Sequence, residues 1–162
     1  SNQLHWLDTF FSPLMSVIEK QVMFNIHKEF NEINSRWFSL LVEEENLSIR
    51  LDQNFTPIII QNGYELDVKN LSGGEKTACA LAYRLALNKV INDLMSTIKT
   101  KDLIILDEPT DGFSNEQLDK VRDVLDQLNI AQTILVSHEN KIESFVDHII
   151  RVGKQEHESF IV

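Results

Sequence analysis

Apolar residues first recur along this chain at helical spacing. Leu4, Leu7, Phe11 and Leu14 fall at steps of three and four, the seam of a coiled coil. Met15, Ile18, Val22, Ile26, Phe30, Ile33 and Trp37 carry the stripe onward at the same steps. Pro13 lies where the two stretches meet, and with Ser12 ahead of it as an N-cap it predicts a restart or kink there. Phe10, Phe11, Met23 and Phe24 lie off or beside the stripe, more apolar surface than one seam needs. Two readings fit: a helix packed on its own domain, or the root of a long antiparallel coiled coil with room for a partner helix.

The period then changes to two. Leu47, Ile49 and Leu51 alternate with Ser48, Arg50 and Asp52, and Pro57-Ile58-Ile59-Ile60-Gln61 is a second strand. Asn62-Gly63 predicts a hairpin turn into Tyr64-Glu65-Leu66. A helix follows from about Ser72 to the mid-nineties, kept slim by Ala78, Ala80, Ala82 and Ala86. Leu103-Ile104-Ile105-Leu106 and Thr133-Ile134-Leu135-Val136 are short all-apolar runs, as expected of strands buried on both faces. Between them, Leu118, Val121, Val124, Leu125 and Leu128 mark a helix capped by Ser114 or Asn115. A short helix near Ile142 to Phe145 precedes two closing strands, His148–Val152 and Ser159–Val162, with a turn around Gly153. Strand, helix and buried strand in sequence predict an α/β lobe with a parallel sheet flanked by helices, plus a small antiparallel hairpin. The helical stub takes residues 1–34 and the lobe residues 35–162.

Candidate chemistry sits at the ends of these elements. Leu71-Ser72-Gly73-Gly74-Glu75 opens the long helix, and free N–H groups at a helix start suit an anion such as phosphate. Ser72 and Glu75 also form an ordinary capping box, which needs no ligand. Asp107 and Glu108 close the first apolar strand, and Ser137-His138 close the second. All four therefore stand at the carboxyl edge of the sheet, where open α/β sheets bind ligands.

In this order the three motifs resemble those of the ABC-type ATPases: signature Leu71 to Glu75, Walker B Leu103 to Glu108 and switch histidine His138. Within that superfamily the chain resembles the C-terminal lobe of the head of Rad-fifty (SbcC-type) DNA double-strand-break repair ATPases, in their archaeal form. The shared wording is Asn70 to Thr77, Ala82-Tyr83-Arg84-Leu85-Ala86, Asp107-Glu108-Pro109-Thr110 and Val136-Ser137-His138-Glu139. Signature serine and Walker B aspartate are 35 positions apart (107 − 72), longer than transporter ATPases usually have.

The resemblance implies roles. Asp107 would hold Mg²⁺, and Glu108 would be the base that activates water. His138 would contact the γ-phosphate. Leu71, Ser72, Gly73, Gly74 and Glu75 would face ATP bound to an opposite head. Lys76 and Arg84 match basic positions that relay nucleotide state to the coiled coil. Arg84 stands among apolar neighbours in the sequence, so its charge is expected to have a specific partner. Asp111 and Ser114 fall in the D-loop, although Phe113-Ser114 replaces the usual Leu-Asp.

No Gly-x-x-x-x-Gly-Lys-Ser/Thr occurs, so this chain lacks the loop that cradles ATP phosphates. The resemblance supplies it from an N-terminal Walker A lobe of the same protein. It implies as further partners a second head joined through ATP, DNA, and an Mre-eleven-type nuclease docked on the coiled-coil base near Phe10, Phe11, Met23 and Phe24. Two alternatives stay open: a head of the SMC or RecN type, and a non-catalytic interaction module.

Composition narrows the picture further. The 162 residues can bury one core, and a single cysteine, Cys79, excludes an internal disulfide and fits a reducing intracellular compartment, cytoplasm or nucleoid. A net charge of −10 argues against a broadly basic nucleic-acid binder. No apolar run reaches membrane-spanning length. His5, His27, His148 and His157 lack metal-ligand spacing and are read as structural or surface groups. Ser1-Asn2 reads as a tag remnant, and the start in mid-helix suggests a fragment of something longer.

Overall fold

The structure, a computed structural model, describes residues 5–42, 44–94, 102–155 and 158–161. Leu4, the helix end in the mid-nineties, His157 and Val162 lie outside those residues.

A long helix, α1 (Ser12–Leu41), leads the fold and is preceded by one wider π turn, Leu7–Phe11. Ser12 is itself helical, with φ −63° and ψ −44°, and its N–H reaches back five residues to the Leu7 carbonyl. The expected N-cap at Ser12 is therefore absent, and the irregularity expected at Pro13 takes the form of a π turn that ends just before it. Proline has no N–H, and its ring presses on the carbonyl four residues back; a widened turn just ahead relieves that crowding and lets the helix run through. Residues 5–25 are exposed throughout. Burial begins near Ile26, and Phe30, Ile33, Trp37, Phe38 and Leu41 then enter the core.

The next strands form an antiparallel sheet of β1 (Leu47–Leu51), β2 (Pro57–Gln61) and β3 (Tyr64–Leu66), with Ile49 opposite Ile59. Asn62 and Gly63 both take positive φ, 51° and 83°, as the tight β2–β3 turn requires. The β1–β2 turn holds a bulky residue in the left-handed region, Phe55 at φ 64°. Neighbouring helices tie this turn down: His27 Nε2 bonds the Asp52 carbonyl at 2.6 Å, and Asn31 Oδ1 accepts the Leu51 N–H at 2.7 Å. Tyr83 donates its hydroxyl to the Phe55 carbonyl at 3.1 Å. His27 is thus structural.

Helix α2 (Gly73–Leu94) packs along α1. Ala78, Ala82 and Ala86 recur every four residues and are fully buried, so the two backbones approach closely. Beyond it, β4 (Leu103–Asp107), α3 (Asn115–Leu128) and β5 (Gln132–Val136) make a β–α–β unit whose strands pair in parallel, Leu103 with Gln132 through Asp107 with Val136. Leu118, Val121, Val124 and Leu128 of α3 are buried as their spacing predicts.

The expectation that both strands are buried on two faces is corrected. Ile104 and Leu106 are buried, but Ile105 is 58% exposed and Ile134 and Val136 are 40% and 50% exposed. Side chains alternate across a strand, and among the described residues helices cover only one side of the β4–β5 pair.

The closing strands are also shifted. β6 (Val152–Gln155) pairs antiparallel with β7 (Glu158–Ile161), while residues 148–151 are not strand. Gly153 lies inside β6 opposite Phe160 and not at a turn. A Cβ there would stand 2.7 Å from Phe160 Cζ, so glycine gives the ring its place. Two polar side chains in the core, Asn34 and Thr110, have buried atoms without a hydrogen-bond partner among the described residues.

Candidate nucleotide edge

Leu71 anchors the signature stretch in the core, and Ser72 turns the chain into α2. The capping box is formed. Glu75 N–H donates to Ser72 Oγ at 3.3 Å, and Ser72 N–H donates to Glu75 carboxylate at 2.7 Å. Ser72 Oγ is an acceptor in that pair, so its own hydroxyl proton stays available to a ligand.

The two glycines have different neighbours. A Cβ on Gly74 would stand 2.8 Å from the Gly112 carbonyl oxygen, whereas one on Gly73 would meet nothing within 4 Å. Gly74 is therefore required by its own chain, and Gly73 faces open space. Gly112 lies in the turn closed by Phe113 N–H to Thr110 carbonyl at 3.0 Å, and its φ of +77° suits glycine. Asp111 is exposed beside it, and Phe113 is buried as the loop's anchor. This contact brings the signature entry against the loop that follows β4.

Asp107 and Glu108 lie at the carboxyl end of β4, both exposed. Asp107 has no hydrogen bond or ion pair among the described residues that would occupy its carboxylate. Glu108 has φ 44°, an uncommon posture for a residue with a side chain, held by its N–H bonding the Val136 carbonyl at 2.9 Å. Two residues beyond β5, His138 places Nδ1 2.9 Å from Glu108 Oε2, and its Nε2 is 3.8 Å from Glu139 Oε1. Parallel pairing explains the meeting: with Asp107 opposite Val136, Glu108 and His138 leave the sheet at the same edge.

Such a carboxylate–imidazole pair can take a proton from water and hold it. Among the described residues, no group of three or more His, Cys, Asp or Glu could hold a metal by itself. One unengaged carboxylate still fits Mg²⁺, which is commonly held by one or two carboxylates with water and substrate phosphates.

Other sequence-predicted residues lie elsewhere. Lys76 and Arg84 are exposed on α2. Arg84 has no hydrogen bond or ion pair among the described residues, which corrects the expected specific partner; its neighbours in sequence turn inward while it turns out. Phe10 and Phe24 are 61% and 64% exposed, and Phe11 and Met23 are 43% and 45% exposed, on the free half of the helix far along the chain from the edge. Ser114 serves α3 as N-cap, accepting Gln117 N–H at 3.1 Å while Gln117 Oε1 accepts Ser114 N–H at 3.0 Å. Gln117 was not singled out from the sequence, although Ser114-x-x-Gln117 has capping-box spacing.

Known proteins resemble this chain in sequence and in fold. No family model matches the chain. Over 127 residues it is 35% identical to the DNA double-strand break repair Rad50 ATPase of Pyrococcus abyssi, covering 75% of this chain and 14% of that protein. The corresponding ATPase of Archaeoglobus fulgidus is 32% identical over 141 residues, 81% of this chain and 15% of that protein. The chain thus spans about one seventh of the length of these relatives. Among solved structures, the Smc head domain with a coiled coil and joint from Pyrococcus yayanosii superposes with a TM-score of 0.73 at 20% identity, covering 94% of this chain and 30% of that one. A structure described under ATP-driven dimerization and DNA stimulated activation of SMC ATPases gives 0.67 at 20% identity, with 88% of each chain covered. At such identities the structural likeness establishes fold.

Proposed function

From the chain's kinship with the Rad50 ATPases, and its fold as the C-terminal lobe of such a head with the base of its coiled coil, we propose that it is the half of an ATP-hydrolysing DNA repair head that supplies the water-activating and γ-phosphate-sensing groups. The observation that carries this reading is the Glu108–His138 pair at the carboxyl edge of β4 and β5, beside the unengaged Asp107.

Glu108 is the general base: it orients a water and accepts its proton. His138 holds the Glu108 carboxylate through Nδ1 and hydrogen-bonds a phosphate oxygen when nucleotide is present. Asp107 would hold Mg²⁺, which would supply positive charge against the phosphates during transfer. Ser72 and Gly73 present a hydroxyl and an uncrowded helix start to the ATP of a second head, so ATP joins two protomers and hydrolysis releases them. The phosphate cradle comes from an N-terminal Walker A lobe packed on the open face of β4–β5, where Ile105, Ile134 and Val136 wait for cover. The head cycle in turn rearranges DNA and an Mre-eleven-type nuclease bound at the coiled-coil base, inside the cell. Support for the nuclease site is the apolar surface that the exposed helix carries beside its seam. In the regular helix Val17 and Phe24 stand about 110° around from Leu14, Ile18 and Val22, and in and ahead of the π turn Phe10 and Trp6 are exposed, with Trp6 stacked on Phe11. Phe11 falls in the seam itself and Met23 on the side that continues toward the lobe.

Co-expression with the N-terminal lobe tests the reading. Glu108→Gln should lower ATP hydrolysis by about 10²- to 10⁴-fold while prolonging the ATP-bound dimer seen by light scattering. Unchanged hydrolysis would remove Glu108 from the role. An inactive wild type would move the weight to the non-catalytic module.

A further inference from the structure

Gln117 stands at the third position of α3 and is buried. Both ends of its amide are engaged. Oε1 accepts the Ser114 N–H at 3.0 Å, and Nε2 donates to the Leu41 carbonyl at 2.9 Å. Leu41 is the last residue of α1, so its carbonyl is one of the helix-end acceptors with no partner inside the helix. The same Oε1 lies 3.2 Å from where a Cβ on Gly74 would stand.

One side chain therefore touches the loop after β4, the entry to α2 and the end of the helix that leads out of the lobe. A buried amide holds such a position firmly, because loss of either bond leaves a desolvated polar group. Displacement of the 111–114 loop pulls on Oε1, and Nε2 passes that displacement to Leu41. The basic side chains of Lys76 and Arg84 offer no comparable bond among the described residues, since both point to solvent.

We infer that Gln117 is a positioning residue that couples the nucleotide edge to the angle at which α1 leaves the lobe. The inference rests on the ATP-joined dimer proposed above. Chemistry supplies a clean separation of its two bonds. Gln117→Glu keeps an oxygen for the Ser114 N–H and replaces the donor to Leu41 with a second acceptor. Gln117→Met keeps the volume and removes both bonds.

The test uses the complete protein, with its N-terminal lobe and coiled coil, spin-labelled at Lys20 on the exposed half of α1 and at Asp123 on α3. Label separation and dimerisation are measured with and without ATP and magnesium, and folding of each variant is checked by thermal unfolding. In wild type the separation should change with ATP. Gln117→Glu should still form ATP-dependent dimers yet lose that change. Gln117→Met should lose it as well and need more ATP to dimerise, since the loop has lost its cap. If Gln117→Glu does not fold, Gln117→Met alone decides. A full change in either folded variant overturns the inference. It also falls, alone, if wild type dimerises with ATP and the separation stays constant. Absence of ATP dimers in wild type overturns the underlying reading, and the coupling with it.

Discussion

Gly73 and Gly74 are adjacent, but a methyl group added to each would meet different surroundings. At Gly74 it would press on the backbone oxygen of Gly112, which no rotamer change can move aside. Gly74→Ala should therefore destabilise the folded lobe by about 1–3 kcal/mol, visible as a lower thermal midpoint. Gly73→Ala has room, and alanine is the better helix former, so the midpoint should hold or rise. If Gly73 faces a second head's ATP, the same change should nonetheless abolish ATP-driven dimerisation. Equal loss of stability in both variants would show that the two positions are not distinct. Asn34 is a third residue-level case. Its amide is fully buried with neither polar atom bonded among the described residues. Asn34→Leu should raise stability by about 1–3 kcal/mol, measured by denaturant unfolding, because a desolvated amide is exchanged for an apolar side chain. A fall of that size would reveal a partner for the amide.

At the scale of elements, the helix preceding the lobe has one half buried and one half bare. The bare half carries more exposed apolar surface than one seam covers. Charged substitutions at Phe10 and Phe24, both exposed, should weaken nuclease binding in a pull-down by tenfold or more, about 1.4 kcal/mol or above. They should leave the lobe's thermal midpoint in place, since neither ring enters the core. Binding at wild-type strength would move the docking site elsewhere. The elements themselves were largely legible from periodicity. Alternation predicted β1, Asn62-Gly63 predicted the hairpin, and the apolar runs predicted β4 and β5. Periodicity could not show that one face of β4–β5 is open, because a run of isoleucine and leucine looks the same whether its cover lies in this chain or another. It misplaced the closing turn at Gly153, where glycine makes space for Phe160. It also gave Ser12 the part of an N-cap at Pro13, since a π turn leaves no signature in the pattern. The candidate site residues stand in the sequence as motifs. Their mutual contacts, Glu108 with His138 and Gly74 with Gly112, depend on strand register and loop course, which single-sequence patterns do not carry.

At the scale of the molecule, acidic composition and an apolar sheet face pull in different directions. The charge keeps most of the surface wet. The exposed Ile105, Ile134 and Val136 are set between it and ask for a complementary apolar layer. Ile105→Asp should reduce co-purification of this lobe with the N-terminal lobe while raising the solubility of this lobe expressed alone. Undiminished co-purification would place the lobe contact on another surface.

The open face also has a meaning in time. If the proposed N-terminal lobe finishes this sheet side, the side is exposed for as long as the two parts are apart, during synthesis or after damage. Over that interval it presents cells with the same signal as a misfolded protein, a row of branched apolar side chains beside unpaired strand edges. Chaperones and proteases that read such surfaces would therefore measure whether the head has been assembled. Assembly, on this view, hides the mark by which an incomplete head would be recognised and removed.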